Sequence, residues 1–311
     1  MKVIEIEVSK LKLDTPFNYS FFPEEEFSFL KESIKRLGVL SPIFIFKEEK
    51  EFIPFSGFKR IFFSNENDNI PAIIFDERDP AELFKISIFE NISHRTLNYV
   101  EITKIIKSLI SFGIVEDKLY GEFFPFLGLN ANKVDLNFFE NIFLLNLDCK
   151  KYIARGDFSV KSLKILFKFP RDIRSTIFLL SKRLCLNKNR EVIFLNHLFE
   201  LWKKGEEIGM VFKRVEEFLK EDIPLPQRAD KVLNYLESKN FPLQFSYRKK
   251  FYKFLKEFNC PGDVKIFYPR SFEERKLRME INLTPENLKD VIVFLKNMED
   301  NNFFKGMSEL I

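Results

Sequence analysis

Glycine, histidine and cysteine are scarce: the 311 residues include 10 glycines, 2 histidines and 3 cysteines. Cys149, Cys185 and Cys260 stand far apart, with no Cys-x-x-Cys pair and no histidine cluster beside them, which excludes the common zinc and dithiol motifs. Long apolar runs are missing too; Ala72–Phe75 and Val291–Leu295 fall far short of the ~20 residues that a bilayer crossing needs. The opening stretch Met1–Glu7 alternates charged and apolar residues and does not read as a secretion signal. The expectation is a cytoplasmic protein with reduced, ordinary thiols and no membrane contact. Net charge points to no partner, since 50 basic against 46 acidic side chains leave only +4.

Phenylalanine is what the chain has in excess, with 40 residues. Such a bias serves either as stacking platforms for bases or as core filler in place of leucine and isoleucine, and core filler is the expected role. A hydrophobic fraction of 45% excludes a mostly disordered chain, and the length asks for two or three domains.

Charge is unevenly placed. Residues 1–98 hold 13 basic and 17 acidic side chains, so residues 99–311 carry the remaining 37 and 29. The densest excess lies in residues 150–190, with 12 basic side chains against Asp157 and Asp172; residues 248–278 hold 10 against 4. An acidic front is followed by a basic middle and rear.

The front alternates short strands and helices. Val3–Val8, Ile43–Phe46, Glu51–Phe55 and Ala72–Phe75 read as strands. Phe27, Leu30, Ile34 and Leu37 line one face of a helix over Glu24–Leu37 that stops at Gly38. Asp79-Pro80-Ala81-Glu82 starts another helix, ending near Phe89. From Asn98, which with Glu101 forms a capping box, the pattern is helical for about 160 residues. Helices expected over Glu116–Leu127 and Val134–Leu147 flank the turn Leu127-Gly128-Leu129-Asn130, a helix-turn-helix-like arrangement. Shorter helices follow, and the tail reads as helix, strand (Asp263–Tyr268), strand (Lys276–Leu283) and a helix from Thr284-Pro285. The expected architecture is α+β and multidomain: an α/β front over 1–98, an all-helical domain over 99–240 and a small α+β tail over 241–311. Two strands alone bury little, so the tail is expected to pair with a second copy.

Four front segments carry a family resemblance. They are Leu30-Lys31-Glu32-Ser33-Ile34-Lys35-Arg36-Leu37-Gly38-Val39-Leu40-Ser41-Pro42-Ile43, Ser56-Gly57-Phe58-Lys59-Arg60, Ile70-Pro71-Ala72, and the run from Glu90-Asn91-Ile92-Ser93-His94-Arg95 to Glu101. Their order and spacing resemble the N-terminal domain of the ParB partition proteins, a ParB/sulfiredoxin-type fold. The resemblance implies a DNA-binding protein of chromosome or plasmid partition or DNA organisation, with CTP and magnesium at the front domain, a helix-turn-helix behind it, a dimerising tail and a ParA-like ATPase as partner. Carried over residue by residue, Gly57, Lys59, Arg60, Asn91, His94 and Arg95 would bind nucleotide, and Glu90 and Asn91 would hold magnesium. Glu90 would also position an attacking water if CTP is hydrolysed.

Departures accompany the match. The family's triphosphate-binding arginine falls at Tyr19, the first box has lost an acid and has Lys59 for an arginine, and the second-box arginine falls at His94 with Arg95 one place on. Phe58 stands where sulfiredoxin has its cysteine, which excludes thiol-based reduction. A nucleotide-dependent enzyme of the same fold (CTPase, kinase or nuclease) and an interaction module without nucleotide binding are the alternatives. His197 reads as structural.

DNA contact is expected from Lys150, Lys151, Arg155, Lys161, Lys164, Lys168, Arg171, Arg174, Lys182 and Arg183, several of them three or four apart. Six to eight phosphate contacts would give log affinity against log salt a slope of roughly −5 to −7. The expected recognition helix, Val134–Leu147, offers asparagines but no arginine for guanine, which points to DNA binding with little sequence readout.

Overall fold

The computed structural model describes residues 2–22, 27–93, 95–130, 134–257, 260–267, 278–300 and 303. The chain divides into two compact units, Met1–Lys182 and Arg183–Ile311.

The first unit opens with a four-stranded sheet in the order β1-β4-β2-β3, built from β1 (Lys2–Glu7), β2 (Ile43–Glu48), β3 (Glu51–Ser56) and β4 (Asn69–Phe75). β1 runs antiparallel to β4 (Ile6 opposite Ile70), and β2 runs parallel to β4 (Ile43 beside Ala72). The parallel pair needs a crossover, supplied by β3 and the short helix α2 (Phe58–Phe62). β3 is the edge strand, where Pro54 costs no internal ladder bond. Helix α1 (Ser28–Leu37) ends at Gly38, and α3 (Pro80–Ile92) starts at the expected Asp79 cap, whose carboxylate accepts from the Ala81 N–H. Ile43, Ile45, Phe55, Ala72, Leu83, Phe84 and Ile88 are fully buried at the sheet–helix junction.

Helix α4 (Tyr99–Ser111) carries the complete Asn98/Glu101 capping box. Residues 116–126 are helical as expected, but as α5 (Glu116–Lys118), a π-helical turn over Leu119–Phe123, and α6 (Phe124–Phe126). The helix expected over Val134–Leu147 is shorter and is followed by another: α7 (Leu136–Phe143) and α8 (Leu147–Ala154). Asn146 makes the break, because its side chain accepts from the Cys149 N–H and starts α8. Then come α9 (Val160–Leu166), capped by Ser159, and α10 (Arg171–Arg183).

The second unit holds α11 (Lys188–Lys203), α12 (Ile208–Lys220), α13 (Leu225–Asn240) and α14 (Pro242–Glu257). Asn240 ties α11 to α13: its amide donates to the His197 carbonyl (2.9 Å), while Lys204 donates to the Asn240 carbonyl (2.6 Å). The tail pairs β5 (Val264–Phe267) with β6 (Arg278–Ile281), antiparallel, and adds α15 (Leu288–Asp300). Phe251, Leu255, Val264, Ile266, Val291 and Phe294 form its core.

Phenylalanine is core material in both units. Among the described residues, ten of the twelve largest fully buried side chains are phenylalanines. The protein is therefore α+β and multi-element, with no helix among the described residues long and apolar enough to cross a membrane.

Candidate functional site

The front boxes converge on a cleft of about 640 Å³, within the ~300–1,000 Å³ range of small-molecule sites. Its walls include Tyr19, Ser41, Pro42, Ser56, Gly57, Lys59, Arg60, Ser87, Glu90, Asn91 and Arg95. The last two turns of α3 supply Ser87, Glu90 and Asn91, with Glu90 and Asn91 three and four residues after Ser87 and so on one face. Gly57 turns the chain from β3 into α2 with φ +94°, and a Cβ there would lie 2.7 Å from Ile43 Cγ2. The backbone and the packing both require glycine at this position, whatever binds nearby.

Within the cleft the expected ligand-binding groups hold one another. Arg60 Nη2 donates to Glu90 Oε1 (2.8 Å), and its Nη1 donates to the Ser41 and Pro42 carbonyls (3.1 and 2.8 Å). The second oxygen of Glu90 accepts from Ser56 Oγ (2.7 Å). Asn91 Nδ2 donates to Tyr19 Oη and to the Ser87 carbonyl, both at 2.9 Å. Arg95 makes a two-pronged bond to Glu101 (2.6 and 2.8 Å) and reaches Asn91 Oδ1 at 3.3 Å. Lys59 Nζ lies 3.7 Å from the Phe27 ring centre and 4.8 Å from that of Phe22. His94 lies outside the described residues.

Two of these partners were not foreseen. Glu101, expected only as the capping-box acid, is fully buried and is also the counter-ion of Arg95. Tyr19, at the place of the family's triphosphate-binding arginine, is a buried hub between Ser87 and Asn91; burial pushes its phenol well above the usual range. Neither pairing has a local sequence signature.

The donor set does not fit magnesium. Both Glu90 oxygens are occupied, the Asn91 oxygen faces a guanidinium, and among the described residues no three His, Cys, Asp or Glu side chains cluster as metal ligands. An anionic ligand has room, but Arg60 and Arg95 already hold carboxylates, so a phosphate there would compete with Glu90 and Glu101 for the guanidinium donors.

The second candidate surface lies on α8, α9 and the start of α10. Lys151, Arg155, Lys161, Lys164, Lys168 and Arg171 are exposed. On α9 the lysines face away from Leu163 and Leu166, which are fully buried. Lys150 is half-buried with its Nζ 5.3 Å from the Phe143 ring centre, and burial lowers its pKa. Lys182 is turned onto the α8–α9 loop, donating to the Asp157 carbonyl (2.7 Å), and Arg183 pairs with Glu216. Arg174 departs from expectation: it is only 9% exposed and donates to the Phe167 and Phe169 carbonyls and to Asn141 Oδ1, so it is spent inside the fold.

No family model matches the chain. It is 26% identical over 172 residues to the chromosome-partitioning protein ParB of Myxococcus xanthus, covering 54% of this chain and 56% of that one. It is 28% identical over 149 residues to the "Probable chromosome-partitioning protein ParB" of Campylobacter jejuni, covering 47% and 51%. The chain thus spans about half the length of the curated relatives it matches. Solved structures similar to it include C-terminally truncated ParB from Caulobacter crescentus. One is complexed with CTP-gamma-S (18% identity, 57% of this chain and 98% of that one, TM-score 0.27). The other is complexed to the centromeric parS site (14%, 74% and 98%, TM-score 0.31). By its curated relatives the chain is ParB-like.

Proposed function

We propose that this ParB-like chain binds DNA in chromosome or plasmid partition or a related DNA-organising task. The observation that carries the reading is the set of exposed cations on α8, α9 and the residues just after each, Lys151, Arg155, Lys161, Lys164 and Lys168, with Lys161 and Lys164 opposite the buried Leu163 and Leu166. Close cations on an outward helix face neutralise successive phosphates and release their counter-ions. The direct test is a mobility shift with a long duplex at low salt; no shift at micromolar protein would sink the proposal.

The front cleft belongs to the same reading as a regulatory site for an anionic nucleotide. Lys59, Arg60 and Arg95 would hold its phosphates, with Glu90 as the internal competitor for Arg60. CTP, which the family resemblance implies, is the first ligand to test by calorimetry. Removing the competitor in Glu90→Gln should tighten CTP binding severalfold; unchanged or weaker binding would contradict the exchange.

The tail is proposed to dimerise. Helix α15 buries Val291, Phe294 and Met298, yet exposes a second apolar stripe of Leu288, Ile292 and Leu295, which are 44%, 43% and 38% exposed. A second copy of the chain would cover that stripe.

A further inference from the structure

The corner between α7 and α8 is apolar and faces outward. Phe143, Leu144 and Leu147 are 44%, 46% and 58% exposed, while Leu145 among them is buried. The core is filled by other residues of the same two helices, Phe139 and Ile142 on α7 and Cys149 and Ile153 on α8. Single exposed apolar side chains are ordinary on any protein. Three gathered at one bend of the chain form a patch, and a patch marks a contact.

The rim of this patch is cationic. Lys107 and Lys150 set their ammonium groups 4.3 and 5.3 Å from the centre of the Phe143 ring. Leu147 stands four residues before Lys151 and eight before Arg155, both exposed, so the three share one line along α8 and its end. Two acids lie close by. Glu140 is held by Lys107 at 2.8 Å, and Asp148 occupies the first turn of α8, at the positive end of that helix. A polyanion is the partner that such a rim attracts, and the line that begins at Leu147 runs on into cations proposed above to grip phosphates.

We propose that Leu144 and Leu147 form a wedge that enters duplex DNA at a base step and bends it. This inference rests on the DNA-binding reading and adds to it what the protein does to the duplex. Leucine cannot pair with a phosphate. It gains only where water is excluded, and in a duplex that place lies against the faces of partly unstacked bases. Lys151 and Arg155 hold the backbone beside the wedge, so phosphate contact supplies affinity and the leucines supply the change of shape. Pyrimidine–purine steps unstack most readily, and the wedge therefore favours them.

The experiment is energy transfer between dyes at the two ends of a short duplex saturated with the full chain, read alongside 2-aminopurine placed at a TA step. Wild type should bring the ends closer, as a bend of roughly 20–90° does, and raise the 2-aminopurine signal as the step unstacks. Leu144→Ser/Leu147→Ser, altered only at exposed positions, should bind with an unchanged salt slope yet leave both signals at their free-DNA levels. Lys151→Ala/Arg155→Ala should lower the salt slope by about 2 and still bend the duplex at saturation. Replacing the TA and CA/TG steps should weaken wild type severalfold and leave the leucine variant unaffected. A bound duplex that stays straight and stacked, or one bent equally by the leucine variant, would overturn the wedge while leaving DNA binding standing. A leucine variant whose only change is lost self-association in sedimentation would overturn it too, by assigning the patch to a second copy of the chain. No binding to any duplex would overturn the DNA reading itself, and this inference with it.

Discussion

Arg60 and Glu90 are 16% and 22% exposed, whereas Glu101 is fully buried beneath Arg95, and that difference grades what each acid is worth. A partly buried pair lies between the surface limit of about 0–1 kcal/mol and the ~3–5 kcal/mol lost when a buried charge is left alone. Urea unfolding should therefore show Glu90→Gln costing about 1–2 kcal/mol and Arg95→Ala, which strands Glu101, costing about 3 kcal/mol or more; equal losses would contradict the burial. Gly57→Ala should destabilise the front by more than ~1 kcal/mol, because it forces a Cβ both onto a positive φ and into Ile43. A thermal melt in which Gly57→Ala matches wild type would refute this account of the turn.

Helices α11 and α13 meet at His197, and burial depresses its pKa below the ordinary value. A histidine held neutral in the fold binds fewer protons there than in the unfolded chain at acid pH, so its stabilisation is present above the unfolded pKa of about 6.5 and is lost as pH falls below it. Unfolding measured between pH 7.5 and 5 should show a steeper loss for wild type than for His197→Gln; parallel curves would show that His197 does not contribute.

Elements whose signals are local were legible in the sequence. Asp79-Pro80 and the Asn98/Glu101 box start α3 and α4 as read, since a cap depends on residues two or three apart. The α7–α8 break was not legible, because Leu144, Leu145 and Leu147 continue an apolar run while a single side chain, Asn146, decides the cap. The bond between Tyr19 and Asn91 joins residues 72 apart, and no window of sequence shows it. The front cleft was therefore readable as a set of residues, but not as a set already paired. Arg174 counted toward the basic cluster because charge is visible in sequence and burial is not.

At the scale of the whole molecule, the proposed function rests on charge and association. If α15 joins two copies, Ile292→Glu with Leu295→Glu should convert a dimer into a monomer in sedimentation equilibrium, without loss of helix content; a dimer that persists would place the contact elsewhere. Joining two chains would also bring two basic faces to one duplex, raising apparent affinity on long DNA more than on short.

The central claim is that DNA is gripped by phosphate contacts from α8 and α9, and its most direct measurement is binding to one long duplex as a function of salt. About five contacts per chain predict a slope of log affinity against log salt near −4 to −5, falling to about −2 in Lys161→Ala/Lys164→Ala/Lys168→Ala. A slope near zero, or one unchanged by those three substitutions, would contradict it.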